Sequence, residues 1–350
     1  MDSGNSGGAR PPRTRRKMQR VTMSDVAKAA AVSPSTVSLF LRKPSAVSER
    51  IASRVQRSID ELGYVPNYVA GGLAAAGSKV VSVIVPSLRN AFFSETVAEL
   101  ERLLARGGLQ TLVGHTEYSL DQEEALVRAA LSWAPAAVVL TGCRHNAATR
   151  KLLLRSNTPV VEMWELGGQV IDQAVGFSHE QVGRHIARRF IDQGYESAAF
   201  IGARLDEDFR AAQRSEGFLA EMQEAGITAR LVENSAPAST SNGVRLFEEV
   251  CMNPVRAIAC SNDTLALGVL FEAQRRDLSI PTELALAGFG DLDFAAQMVP
   301  PLTTVRPAAD KIARKVAECI LRPQAETDRQ NSPFPTEHDT GFTLVPRASG

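Results

Sequence analysis

Residues Val21–Leu41 read VTMSDVAKAAAVSPSTVSLFL, the pattern of two short helices joined by a tight turn. Thr22 precedes Asp25 by three positions, the spacing of a capping box at a helix start. Val26, Ala27 and Ala30 then fall on one side of the first helix. Ser33 followed by Pro34 marks a second start: a hydroxyl cap, then proline at the first helical position, where no amide donor is needed. Val37, Phe40 and Leu41 give this second helix an apolar face, so its Ser and Thr residues point outward. Short polar side chains on a small exposed helix suit close approach to a duplex groove, as in a helix-turn-helix. Taken alone, the same residues also fit a solvated helical hairpin.

Ser48 is placed to cap a third helix whose apolar residues, Ile51, Val55, Ile59 and Leu62, recur at three- and four-residue intervals. Gly63 ends it, and GYVPN leads into VAGGLAAAGS. Between Asp25 and Asn67 the chain reads DVAKAAAVSPSTVSLFL and then VSERIASRVQRSIDELGYVPN. This long pattern resembles the N-terminal signature of the lactose-repressor (LacI/GalR) family of bacterial regulators. The resemblance implies a three-helix DNA-reading head over 20–66, a hinge over 67–79 and a ligand-binding, dimer-forming core over 80–350. Residues 1–19 are polar and Gly-rich and read as a disordered basic tail.

Charge divides the chain at the same place. Residues 1–79 hold 13 Lys/Arg against 5 Asp/Glu, and the remainder 26 against 34, although the whole is formally neutral. A basic module on an acidic body suits binding of a phosphate backbone. There is no apolar run of about 18 residues and no apolar segment behind the Arg-rich N-terminus, so the expected location is cytoplasmic with no membrane span. Cys143, Cys251, Cys260 and Cys319 form no CxxC pair and read as buried thiols.

From Val80 onward apolar runs alternate with amphipathic segments, the pattern of an α/β fold with parallel sheets. Strands are expected at 80–85, 109–113, 136–140 and 159–163, then, after a break at Gly167–Gly168, at 197–201, 229–232, 257–260 and 284–289. Helices are expected at 94–106, 121–132, 180–193, 212–225, 243–252, 263–276 and 308–321. Gln324–Asp339 reads as a surface loop before a last strand at 341–345. The family resemblance implies a core like that of periplasmic sugar-binding proteins, two parallel-sheet subdomains with crossings near 165, 290 and 322–340.

In the family the first, second and sixth residues of the second helix select the operator; here these are Pro34, Ser35 and Leu39. Most relatives carry arginine at the sixth, able to pair bidentately with guanine, whereas Leu39 donates no hydrogen bond. An unusual half-site is therefore expected, read with help from Thr36 and Ser38 and with phosphate contacts from Arg42, Lys43 and Arg50. The resemblance extends DNA contact to Thr22, Ser33, Tyr64 and Asn67. It also places Leu73 as a minor-groove wedge on a hinge helix, weakened by Gly71 and Gly72 at about 0.8–1 kcal/mol each.

Loops at the carboxyl ends of the expected strands carry polar residues, which is where open α/β sheets bind ligands. They offer Asn90, Phe92 and Phe93; Arg214; Asn262 and Asp263; and Asp291. In the family, the positions of Arg214 and Asn262 bind ligand hydroxyls, while a common aspartate is replaced by Gly290. The body, through VPSLRNAFFSE, GHTEYSLDQEEALV, LSWAPAAVVLTGCRH, IGARLDED and AGFGDLD, most resembles gluconate-utilisation repressors. That favours a sugar acid as effector, held by cations among Arg214, Arg204, Arg144 and His115, with Glu162 and Trp164 at the pocket edge. Open alternatives are a neutral sugar, an activator role, a solute-binding protein or an α/β enzyme. Against an enzyme, the chain lacks GxGxxG after a strand, GxxxxGK[ST] and HExxH, and its histidines show no metal-ligand spacing. No metal and no cofactor are expected.

Overall fold

A computed structural model of the chain describes residues 21–64, 78–322 and 336–350, with the side chain of Arg42 excepted. The basic tail, Asn67, Gly71, Gly72, Leu73 and most of the 324–339 segment lie outside the described residues. Between Ala75 and Ala76 the chain divides into two compact units.

The first unit contains helices α1 (Met23–Ala29), α2 (Pro34–Arg42) and α3 (Glu49–Leu62). The capping box forms as its spacing requires: Asp25 N–H donates to Thr22 Oγ1 at 3.3 Å, and Thr22 N–H donates to Asp25 Oδ2 at 2.8 Å. Ser33 caps α2 by accepting from Thr36 N–H at 3.1 Å, with Pro34 in the first turn. Ser48 occupies the cap position of α3, but its hydroxyl makes no capping bond; Gly63 closes the far end at φ 62°. Val26, Val37 and Val55, all fully buried, meet between the three helices. Each contributes roughly 1.5–3 kcal/mol by burial, a large share of what a module this small needs.

The second unit is built on two parallel sheets. Strands β1 (Val80–Val85), β2 (Gln110–His115), β3 (Ala137–Thr141), β4 (Val160–Met163), β5 (Gln173–Gly176) and β11 (Thr336–Asp339) form one, in the order β11-β5-β4-β3-β1-β2. Strands β6 (Ser197–Ala203), β7 (Thr228–Asn234), β8 (Ala257–Cys260) and β9 (Ala285–Ala287) form the other, in the order β7-β6-β8-β9. Every pairing within these sheets is parallel. An additional antiparallel pair joins β10 (Thr304–Pro307) to β12 (Phe342–Val345).

Helices cover both faces of each sheet, which is why the central strands are continuous apolar runs rather than alternating ones. On the first sheet α4 (Ala91–Arg106) and α11 (Ala309–Leu321) pack on one face through Leu100, Leu104, Ile312 and Val316. Helices α5 (Leu120–Ser132) and α6 (Ala147–Arg155) cover the other through Val127 and Leu153. On the second sheet α7 (His179–Asp192) and α8 (Phe209–Glu224) lie opposite α9 (Thr240–Cys251) and α10 (Asp263–Arg275). No helix among the described residues is long and apolar enough to cross a membrane.

Two of the three crossings between the lobes fall elsewhere than the sequence suggested, and the third lies at the end of the expected 322–340 stretch. After Trp164 the chain returns to the first sheet as β5, so the first crossing is at Phe177–Ser178 rather than near 165. The second follows β10, at 307–309, because α11 packs back on the first lobe; it is not at 290. The third, at Thr340–Gly341, follows β11, and so Thr336–Asp339 is a paired edge strand where a surface loop was expected.

Candidate functional site

On the reader, the start of α2 carries a cluster of hydroxyls. Ser33 Oγ lies 2.7 Å from Ser35 Oγ and 2.8 Å from Thr36 Oγ1. Pro34, Ser35, Leu39, Lys43 and Arg50 are exposed, and Ser38 is half-buried. Leu39 projects outward, away from the apolar face made by Val37 and Phe40. The dipole of a helix N-terminus and these hydroxyls together form a surface suited to a phosphate or base edge. Thr22 is engaged in its capping box, and Tyr64 does not belong to this surface. Its ring is buried in the three-helix core beside Val26 and Val55.

In the core, the loops that follow β1 to β6, β8 and β9 at their carboxyl ends converge between the lobes. Arg214, on α8, is buried there. It donates from Nη1 to His179 Nδ1 at 2.8 Å and from Nη2 to the Ser261 carbonyl at 2.9 Å, and its Cζ lies 4.0 Å over the Phe289 ring. Arginine only donates, so His179 Nδ1 accepts and its proton sits on Nε2, which donates to the Trp164 carbonyl at 2.7 Å. Burial, then the charges of Arg214 and Arg210, hold His179 well below its ordinary range, consistent with this neutral form. Burial also lowers Arg214, to about 10. Among the described residues no carboxylate lies within ion-pair distance of its guanidinium, and its Nε–H has no partner.

The surrounding wall is aromatic. Phe92 lies 5.3 Å from Trp164 and 6.0 Å from Phe289, centroid to centroid. Phe93 is more deeply buried and belongs to the core behind them. Trp164 is itself buried, with an indole N–H that has no partner. Tyr118, Trp164, Arg204 and Asp291 all adopt positive φ (69°, 74°, 45° and 49°), a strained conformation for side chains of this size.

Tyr118, Glu165, Arg210 and Gln213, which the sequence did not single out, complete the junction together with Asn90, Arg144 and Arg204, which it did. Tyr118 accepts from Asn90 Nδ2 at 2.8 Å, and Arg204 Cζ lies 5.7 Å from its ring. Arg210, four residues before Arg214, donates to the Thr141 carbonyl of the first lobe at 3.4 Å. Gln213 Nε2 donates to Glu165 Oε1 at 2.8 Å, again across the lobes. Arg144 reaches the other way, its Cζ 3.8 Å over the Phe209 ring. The Arg210–Arg214 spacing was a legible sign of one helical face. His179 was weighed only for metal-ligand spacing and so passed over.

Other expected ligand contacts are committed elsewhere. Glu162 is wholly buried on the α5/α6 side of the first sheet, not at a pocket edge. His115 stands at the exposed end of β2, 3.3 Å from Glu117 and outside the buried cluster. Asn262 caps α10 by accepting from Leu265 N–H at 3.0 Å. Asp291 is paired with Arg347 at 2.6 Å and with Arg306.

Asp263 accepts from Thr304 Oγ1 at 2.6 Å and from Leu292 N–H at 2.8 Å, which fixes the 288–292 loop. A Cβ on Gly288 would fall 2.2 Å from Asp263 Oδ1, so the loop needs glycine there. Burial pushes Asp263 up to about 6, against the lowering effect of its hydrogen bonds. The folded chain therefore holds this proton more tightly than the unfolded one. Its contribution to stability, roughly 3 kcal/mol, is present at about pH 4 and is lost as pH rises through about 6. Asp263→Asn should remove that slope in denaturant titrations across the window; identical slopes in both proteins would refute it.

A reader helix with an exposed polar tip, in the same chain as a two-lobed core with an aromatic, arginine-bearing cleft, defines a ligand-responsive DNA-binding regulator. Residues 22–67 match the model of bacterial regulatory proteins of the lacI family, and residues 187–349 that of a periplasmic binding protein-like domain. The HTH-type transcriptional regulator GntR of Pseudomonas aeruginosa is 36% identical over 94% of this chain and 96% of its own length. Its namesake in Escherichia coli is 33% identical over 95% and 99%. A lacI-family transcriptional regulator from Silicibacter pomeroyi has a similar structure, with TM-score 0.86 and 31% identity over 94% of this chain and 99% of that one. The chain belongs to the lacI family: it is a transcriptional repressor of that family, similar to the GntR regulators, rather than an enzyme.

Proposed function

We propose that this repressor binds operator DNA as a homodimer and releases it when a sugar acid, gluconate or a close relative, occupies the cleft of the core. One observation carries the choice of an acid: among the described residues Arg214 is a buried cation with no carboxylate within ion-pair distance, and one of its donors is idle. Burying such a charge is costly unless it is paired, and a ligand carboxylate would complete it through a charge-assisted fork. A neutral sugar would supply no such charge and would leave the more distant Asp208 to offset the burial. The idle Trp164 indole N–H supplies a donor for a hydroxyl, and the body's resemblance to gluconate-utilisation repressors supports the same choice.

The reader then spans about 20–66 and the core 80–350, with Asn67 and Leu73 in the joint between. The tip of α2 meets base edges in the major groove through Ser35, Thr36 and Leu39, while Lys43, Arg50 and Arg42 meet phosphates. Ligand shifts the balance only by binding one lobe arrangement more tightly than the other. The test is to select a preferred duplex from a randomised pool and titrate gluconate, related sugar acids and neutral sugars against the complex. Release by the acids alone is the expected result. Indifference to base sequence would overturn the DNA reading, and release by neutral sugars alone would overturn the acid.

A further inference from the structure

The first lobe buries a charged group that none of the contacts above uses. His145, in the loop between β3 and α6, has a side chain only 1% exposed. Its Nδ1 lies 2.7 Å from Glu123 Oε1 on α5, and its Nε2 lies 3.1 Å from Glu162 Oε1 on β4. An ionised carboxylate only accepts, so both ring nitrogens donate and the ring is an imidazolium. Glu162 Oε2 in turn accepts from Ile171 N–H at 2.7 Å. One cation thus fastens α5, β4 and the segment leading to β5.

The residues immediately before His145 face the opposite lobe. A Cβ on Gly142 would fall 2.7 Å from both Arg210 Nη1 and Glu165 Oε2, so only a bare Cα lets these groups approach. Cys143 N–H donates to Glu165 Oε2 at 3.2 Å, and Arg144 covers the Phe209 ring. Immediately after it, Asn146 caps α6 through Thr149 N–H and donates to Glu124 Oε2 at 3.2 Å. The loop is anchored from behind at His145 and Asn146, and it engages α8 in front through Gly142 and Arg144.

We propose that His145, clamped between Glu123 and Glu162, is a positioning residue for the effector response. It touches no ligand; it sets the reach of the 142–145 loop, and hence the grip between the lobes on which ligand closure depends. This rests on the cleft being the effector site. Burial opposes the charge on His145, but the two carboxylates outweigh it and raise the group to about 9. Nearby, Glu165, Glu337 and Arg210 act on the adjoining Cys143, whose thiol is raised first by burial and then by Glu162.

The test uses the full chain and His145→Gln, which keeps a polar side chain without the charge, and reads amide hydrogen exchange with no ligand present. The expected result is at least tenfold faster exchange both at 142–145 and across the cleft at 210–214, with β6 unchanged. A change confined to the first lobe, or no change, would overturn the proposal. Where the variant fails to fold, Glu123→Gln, which takes one carboxylate from the His145 ring and leaves a polar side chain in its place, is read instead. The same two-lobe response is expected there, and its absence is equally fatal. Gluconate affinity, as the companion readout, should fall at least tenfold in His145→Gln; unchanged affinity would overturn the role. Should the wild type ignore gluconate, the effector assignment fails, while the exchange measurements still decide the role of His145.

Discussion

Arg214→Ala should cut affinity for the acid effector by one to two orders of magnitude while operator binding survives. A hydrogen bond to a charged group contributes about 1.5–3 kcal/mol, which is roughly ten- to 150-fold in Kd. The same change strands two acceptors, His179 Nδ1 and the Ser261 carbonyl, that Arg214 now satisfies. It should therefore also lower core stability by about 1–3 kcal/mol for each buried group left unpaired. Arg214→Lys separates the two effects, because it restores the charge without the planar fork and should recover only part of the affinity. Calorimetric titration with gluconate alongside a gel-shift assay measures both quantities. Wild-type induction in Arg214→Ala would refute the role assigned to this residue.

The second large effect is on stability. Helices α7 and α8 cross so closely that a Cβ on Gly183 would lie 2.0 Å from the Arg214 carbonyl oxygen and 2.7 Å from Phe218 N. The contact is reciprocal, since a Cβ on Gly217 would lie 2.1 Å from the Glu180 carbonyl oxygen. The obstructing atoms are main chain, so no side chain can swing aside and the helices themselves must separate. Overpacking of this kind costs about 1–3 kcal/mol or more. Gly183→Val should lie at the upper end, with a fall in Tm of roughly 5–10 °C for a core of this size. It should also weaken effector binding, because α8 carries Arg210, Gln213 and Arg214 into the cleft. A Tm within a degree of wild type would show that the crossing yields more easily than its geometry implies.

What was legible in the chain was what depends on near neighbours. The reader declares itself through Thr22 and Asp25, Ser33 and Pro34, and the turn at Gly63, all signals a few residues long. Strands β1 and β8 were located at their observed bounds, because each is an unbroken apolar run between polar flanks. Strands β5, β10 and β11 and helix α6 were missed. Their sequences, QAVG, TVRP, TEHD and AATRKLLLR, are short or polar, and they owe their form to neighbours distant along the chain. Losing β5 moved the first crossing, and losing β10 moved the second.

In the cleft, Arg214 and Phe92 were legible from the segments that follow their strands and from the family resemblance. Glu165, Arg210 and Gln213 were not, because their significance lies in one another: Glu165 and Gln213 are 48 residues apart in sequence and 2.8 Å apart in space. Tyr64 was named by the resemblance as a DNA contact; its ring, packed with Val26 and Val55 in the core of the reader, also contributes to stability by burial.

Among the described residues the chain passes between the lobes three times, at Phe177–Ser178, at 307–309 and at Thr340–Gly341. Two bodies joined by three covalent struts can pivot but cannot drift apart, and a twist in one strut is shared by its companions. A protease nick in any one of them would leave the halves tethered by the other two, still apposed and able to refill the gap between them.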